Sequence, residues 1–224
     1  MDDKQIYKFF GLDYTLPVEN NIESLLKTTP MFIHAKAKND CVLFINDFPT
    51  LIKKSTSYAM PVSIYIKSYR DPRNKNLKYL QPHPILFKKM FKRYMGEDLK
   101  GKNILFIRQG GIGDLLFSQP IVKYFRYKYG DDVDISYATA PNNMSFFDSW
   151  PEDLLDDVLP LPFNSNNLYR SDYQISFEGA IERCKEAHEL NAYDIFAKVS
   201  NVEIDLSDYK YKIELVPDKD ILKS

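Results

Sequence analysis

The residues of this chain best suited to chemistry lie in one short stretch, 109–114, with the sequence QGGIGD. Its three glycines, Gly110, Gly111 and Gly113, let the backbone turn tightly and let a ligand approach the main chain. Asp114 follows at the start of an apolar helical pattern. Helix N-termini carry unpaired N–H groups and a partial positive charge, which favour an anion in the crevice before them. A carboxylate in that place sits at the mouth of an α/β sheet, where such folds usually do their chemistry, or it only caps the helix. Two common glycine loops are excluded. No GK[ST] follows the turn, so it is not a phosphate-binding P-loop. The GxGxxG spacing is absent too, and no strand-ending acid after VDISYAT would hold a ribose.

The elements that must position this turn follow from hydrophobic periodicity. NILFIR, before it, reads as a short buried strand. Residues 113–129 predict a helix, with Leu116, Pro120, Ile121, Tyr124 and Phe125 at helical spacing and Gly130 as its stop. VDISYAT is the next strand and APNN a loop. SFFDSW is a short helix, DDVLPL a third strand, YQISFEG a fourth, and AIERCKEAHEL and NAYDIFAKV are helices. Strands alternating with helices at this spacing predict an α/β fold over 102–224: a Rossmann-like parallel sheet with helices on both faces. Residues 1–101 read as a small α+β region. It holds helices in IYKFFGL and IESLLK, a hairpin of MFIHAKA and CVLFIND, and a strand VSIYIKS. A basic, proline-punctuated loop then leads to an amphipathic helix, PILFKKMFKRYM.

Strand ends in such sheets face the crevice where ligands bind. Glu178, which ends YQISFEG, is therefore either a ligand contact in that crevice or a solvated acid. Arg108 and Gln109 flank the turn; each suits a phosphate or a hydroxyl, and Arg108 also suits an ion pair with a nearby acid. Asn142 and Asn143 read as turn residues. His34, His83 and His188 lack metal-ligand spacing, and Trp150 reads as core. Cys41 and Cys184 fit no zinc pattern and are expected to be reduced thiols.

The composition is that of a soluble globular protein: 224 residues, 44% hydrophobic, 27% charged, net charge -1. The first residues include acids and lack a long apolar run, so no secretory signal is read there. Charge is uneven. Residues 67–102 hold eleven basic and three acidic side chains, whereas 131–224 hold twenty acidic and eight basic. The basic helix at 84–95 either packs on the sheet or touches anionic lipid. No nucleic-acid motif accompanies it, so nucleic acid is not an expected partner.

The segment ILFIRQGGIGDLLFSQPIVKYFRYKYGDDVDISYATAP resembles the opening of the heptosyltransferases that build bacterial lipopolysaccharide, glycosyltransferase family 9. That opening is a strand ending in a basic residue, a small-residue turn, Gly-Asp, an apolar helix containing Pro, and a second strand. Arg108, Gly113, Asp114 and Pro120 stand at the matching positions. YQISFEG resembles the family's next buried strand, and NAYDIFAKVSNVEI its helix before the interdomain linker, so the resemblance covers about residues 103–215. It implies the N-terminal, acceptor-side half of a GT-B fold. Asp114 would be the general base for attack of an acceptor-sugar hydroxyl on the anomeric carbon of an ADP-heptose, with inversion. Arg108, Gln109, Gly110, Gly111, Gly113 and Glu178 would form the substrate-binding side. No metal and no cofactor beyond the nucleotide sugar is implied, and a glycan or glycolipid is the implied acceptor. The setting would be cytoplasmic, with peripheral contact at the inner membrane surface through 84–95. The family holds its donor mainly in a second half. The sequence here shows no second glycine-rich phosphate turn, so a longer chain or a partner protein is expected to supply that half, and this chain is expected to be incomplete as a catalyst. The alternative is a non-catalytic binding or assembly protein that reuses half a GT-B fold. Residues 1–101 have no counterpart in the family.

Overall fold

A computed structural model describes residues 32–45, 47–61, 71–75, 80–84 and 92–203, together with the single positions 64 and 68. The helices expected in IYKFFGL and IESLLK lie outside the described residues. So does most of the expected strand VSIYIKS; its two described positions, Ile64 and Ser68, are helical. Both are buried four residues apart, which is the spacing of a helix face.

Two sheets organise the described chain. The first is antiparallel and ordered β10-β4-β1-β5, from β1 (Phe32–Ala37), β4 (Ser57–Pro61), β5 (Leu80–Pro84) and β10 (Phe163–Asn164). His34 and His83 are register partners across β1 and β5. Beside this sheet, β2 (Cys41–Ile45) and β3 (Phe48–Ile52) form a separate hairpin. The hairpin expected between MFIHAKA and CVLFIND is therefore displaced by one strand. Asp47 adopts φ 68°, a turn conformation that acids tolerate, so the chain reverses after β2 rather than before it.

The second sheet carries the glycine turn. It has five strands, all parallel, in the order β6-β11-β7-β8-β9. These are β6 (Lys92–Arg93), β7 (Lys102–Ile107), β8 (Val133–Thr139), β9 (Asp157–Pro160) and β11 (Tyr173–Ser176). Helix α1 (Ile112–Tyr129) joins β7 to β8, and Gly130 at φ 55° ends it. A 3-10 helix (Pro141–Ser149) takes in most of the expected APNN loop and all but Trp150 of the short helix expected at SFFDSW. Helix α2 (Ser165–Arg170) precedes β11; α3 (Ala180–Arg183) and α4 (Ala192–Val199) follow it. The long helix expected over AIERCKEAHEL shrinks to the single turn of α3. The mixed α/β class and the parallel, helix-flanked sheet are thus observed.

The basic helix expected over 84–95 is corrected at both ends. Pro84 closes β5, and Lys92–Arg93 pair in parallel with Tyr173 and Gln174 of β11. An open sheet edge offers hydrogen bonds that outweigh the helical preference of two residues. The strands also interleave around the boundary expected at residue 102. β6, before it, joins the parallel sheet, while β10, after it, joins the antiparallel one, where Ser57 and Ser165 hydroxyls meet at 3.2 Å. Among the described residues no helix is long and apolar enough to cross a membrane.

An aromatic layer sets the parallel register. Phe106 and Tyr137 are register partners whose rings stack 6.2 Å apart; Phe106 also stacks on Phe177 at 5.9 Å, and Phe177 on Phe196 of α4 at 4.5 Å. Phe125 of α1 meets Phe106 edge-on at 5.5 Å. Ile104 and Phe106 thus face the helices, and Leu105 and Ile107, on the other face of β7, are equally buried. Replacing Phe106 by Ala should cost about 3–5 kcal/mol. Urea unfolding would show this as an earlier midpoint; a loss under about 1 kcal/mol would mean that the layer does not carry the fold.

Candidate functional site

The strand order places the glycine turn at a reversal. From β7 the chain adds β8 and β9 on one side, then returns to set β11 on the other. In open α/β sheets ligands bind at the carboxyl ends of the strands where the order reverses in this way. Arg108 leaves the end of β7 there, and Glu178 lies two residues beyond β11.

Arg108 is the centre of the site and only 7% exposed. Its backbone N–H donates to Ala138 O at 3.0 Å, which extends the β7–β8 ladder by one residue. Its Nη1 donates to Phe177 O at 3.0 Å and lies 3.8 Å from Glu178 Oε2, and its Nη2 donates to Asp114 Oδ2 at 2.6 Å. Nε is buried without a partner. Burial opposes the charge of this guanidinium, but Glu178 and then Asp114 more than offset that and hold its pKa above the ordinary value.

Asp114 stands in the first turn of α1 and does not cap it; the N-cap is Gly111, and no side chain bonds there. Its Oδ2 is taken by Arg108, and its side chain keeps 22% exposure. Among the described residues nothing donates to Oδ1. Glu178, read from the sequence as either a ligand contact or a solvated acid, is only 16% exposed at its side chain, and its Oε1 accepts the backbone N–H of Gln109, so the carboxylate is turned inward. Burial pushes the Glu178 carboxyl up, against the pull of Arg108 and of the Gln109 N–H. The Tyr137 hydroxyl, fully buried beneath the cluster, is pushed up by burial as well, and pairs with Ser118 Oγ at 2.8 Å.

The glycines divide in role. A Cβ on Gly110 would land on Asp114 Oδ2 and 2.5 Å from Arg108 Nε, so this position must be bare for the ion pair to form. Gly111 and Gly113 have open space where a side chain would go. Asn143, read in the sequence first as a turn residue, is buried and clamps the turn. Its Nδ2 donates to Gly110 O at 2.7 Å and reaches Gln109 O at 3.3 Å. Nothing in APNN marks this role, because a turn asparagine and a clamping asparagine read alike in sequence.

Among the described residues no group of three or more His, Cys, Asp or Glu side chains is arranged to hold a metal. An open cleft of about 990 Å³, lined by residues including Tyr94, Tyr124, Lys128, Asp194 and Lys198, shares no residue with the ion cluster. The ion cluster is the candidate site, since that is where partly exposed acid, buried cation and helix start converge. No protein-family model, curated protein or solved structure matches the chain.

Gly110→Ala should displace the Arg108–Asp114 pair and cost about 1–3 kcal/mol, whereas Gly113→Ala should stabilise by about 0.5–1 kcal/mol. Thermal unfolding of the two variants separates them, and equal effects would contradict the packing at Gly110. Glu178 gives a pH signature. Its folded carboxyl binds a proton more tightly than its ordinary value of 4.5, so the stability it adds is full below that value and is lost as pH rises through the raised one. The unfolding free energy of wild type relative to Glu178→Gln should therefore fall as pH climbs from below 4.5 toward neutrality. Chemical denaturation across that window would show no slope if the burial effect were absent.

Proposed function

We propose that this chain is the acceptor-binding half of an inverting GT-B glycosyltransferase resembling the heptosyltransferases, with Asp114 as its general base. The observation that carries the reading is the position of Asp114: at the switch point of a parallel sheet, in the first turn of α1, with Oδ2 fixed by Arg108 and Oδ1 left open. The match of Arg108, Gly113, Asp114 and Pro120 to the family's opening supports it.

In this reading Arg108 sets the orientation of the carboxylate. Oδ1 then accepts the proton of an acceptor-sugar hydroxyl as that oxygen attacks the anomeric carbon and the nucleoside diphosphate leaves with the electron pair of the broken bond. Glycosyl transition states carry oxocarbenium character, so the hydroxyl becomes acidic as its bond to carbon forms and passes its proton to the carboxylate. The donor is an ADP-heptose-like nucleotide sugar. Its diphosphate would be held by a second half, in a longer chain or a partner protein. The acceptor is a glycan or glycolipid at the cytoplasmic face of a membrane.

One observation favours a second reading, a non-catalytic binding protein on the same half-fold: Arg108 draws in both Asp114 and Glu178, as a purely structural ion cluster would. Two measurements decide between them. Titration of the chain with a lipopolysaccharide-core oligosaccharide, followed by amide NMR, should shift the 109–114 turn in wild type and in Asp114→Asn alike. With the donor half supplied, Asp114→Asn should lower kcat by roughly 10²–10⁴-fold. Undiminished transfer sinks the base assignment. Absence of acceptor binding, with Asp114→Asn strongly destabilised, sides with the structural reading.

A further inference from the structure

Glu178 is the buried acid that proton transfer by Asp114 leaves without a task. Its two oxygens reach two separate parts of the site. Oε1 accepts the Gln109 N–H, which fixes the first residue of the turn, and Oε2 lies 3.8 Å from Arg108 Nη1. Arg108 passes the constraint on through Nη2, which holds Asp114 Oδ2 at 2.6 Å. The contacts therefore run without a gap from the end of β11, through the end of β7, to the first turn of α1.

We infer that Glu178 is the positioning residue of this site: it holds the Gln109 turn and the Arg108 guanidinium so that Asp114 keeps Oδ1 toward the crevice. The inference rests on the reading of Asp114 as the proton acceptor. Three further observations support it. Gly179 adopts φ 61°, a left-handed conformation that glycine permits, and it turns the chain immediately after Glu178. Gly110 has no side chain and sits against the Arg108–Asp114 pair, so a shift of the turn moves the pair with it. Arg108 Nε has no partner, so the guanidinium depends on the acceptors it does have, and loss of one leaves a buried cation less satisfied.

The arrangement also couples the two acids. Among the described residues, the groups facing Glu178 include Arg108 at the end of β7, Asp114 on α1, Glu182 on α3 and the Tyr137 hydroxyl of β8. Arg108 attracts its charge, while Asp114 and Glu182 repel it. Glu178 and Asp114 thus share one guanidinium, so a residue that never meets substrate sets the placement of the one that does.

The test compares wild type, Glu178→Gln and Glu178→Ala. It follows the Arg108 guanidinium resonances by NMR, and the Gln109 amide by hydrogen exchange. Glu178→Gln keeps an acceptor for the Gln109 N–H, so protection should persist there, while the Arg108 guanidinium, left with Asp114 as its one carboxylate partner among these three residues, should shift its resonances. Glu178→Ala should speed Gln109 exchange by about tenfold or more. Arg108 resonances that stay put in Glu178→Gln overturn the proposal, and so does equal Gln109 exchange in all three proteins. If the Ala variant fails to fold, the Arg108 resonances in the Gln variant decide alone. Neither readout requires sugar transfer. Shifted Arg108 resonances combined with undiminished transfer by Asp114→Asn would leave the positioning intact and remove the base.

Discussion

The constraint on which the site depends is the burial of one guanidinium. A cation out of water must be surrounded by acceptors, or it costs more than the fold can spare. Arg108 meets this demand with three acceptors from two segments: the carbonyl of Phe177 and the carboxylate of Glu178 from beyond β11, and Asp114 from α1. Each acceptor fixes the segment that bears it. Gly110 is bare because a side chain there would occupy the space of the ion pair. The glycine turn is thus shaped by the charge it wraps as much as by any ligand it might admit.

Arg108 can hold this place because the aromatic layer beneath it fixes the register. Phe106, Tyr137 and Phe177 stack across three neighbouring strands, and the residues that follow them form the site: Arg108 two beyond Phe106, Ala138 after Tyr137, Glu178 after Phe177. Side chains alternate faces along a strand, so a slip of one residue would turn Arg108 away from both acids. Packing energy below the crevice is thereby converted into electrostatic geometry within it. Asn143, from the 3-10 helix, closes the opposite side by donating to the turn's own carbonyls.

Two carboxylates share this environment and differ in what holds them. Glu178 is turned inward onto the Gln109 N–H, and burial raises its affinity for a proton. Asp114 gives one oxygen to Arg108 and keeps 22% of its side chain exposed. The interleaving of the two sheets ties this crevice to the antiparallel layer, because β10 leaves the parallel unit to pair with β4 just before α2 leads into β11.

The local unit was legible in the sequence. NILFIR, the glycine turn, the helix to Tyr129 and VDISYAT each follow from hydrophobic period and from Gly130, and the structure has them as β7, α1 and β8. The suitability of Arg108 for an ion pair with a nearby acid was legible as well, since Arg108 and Asp114 lie within seven residues of one turn. Long-range pairing was decided by the tertiary structure alone. Lys92 and Arg93 carry a helical pattern but complete a sheet edge; β1 pairs with β4 and β5 rather than with its neighbour β2; and Glu178 accepts the Gln109 N–H across 69 positions of chain. Periodicity reports which face of an element is apolar. It carries no information about which distant edge, amide or cation will claim the polar groups left over, because that is settled only when burial removes water as their partner.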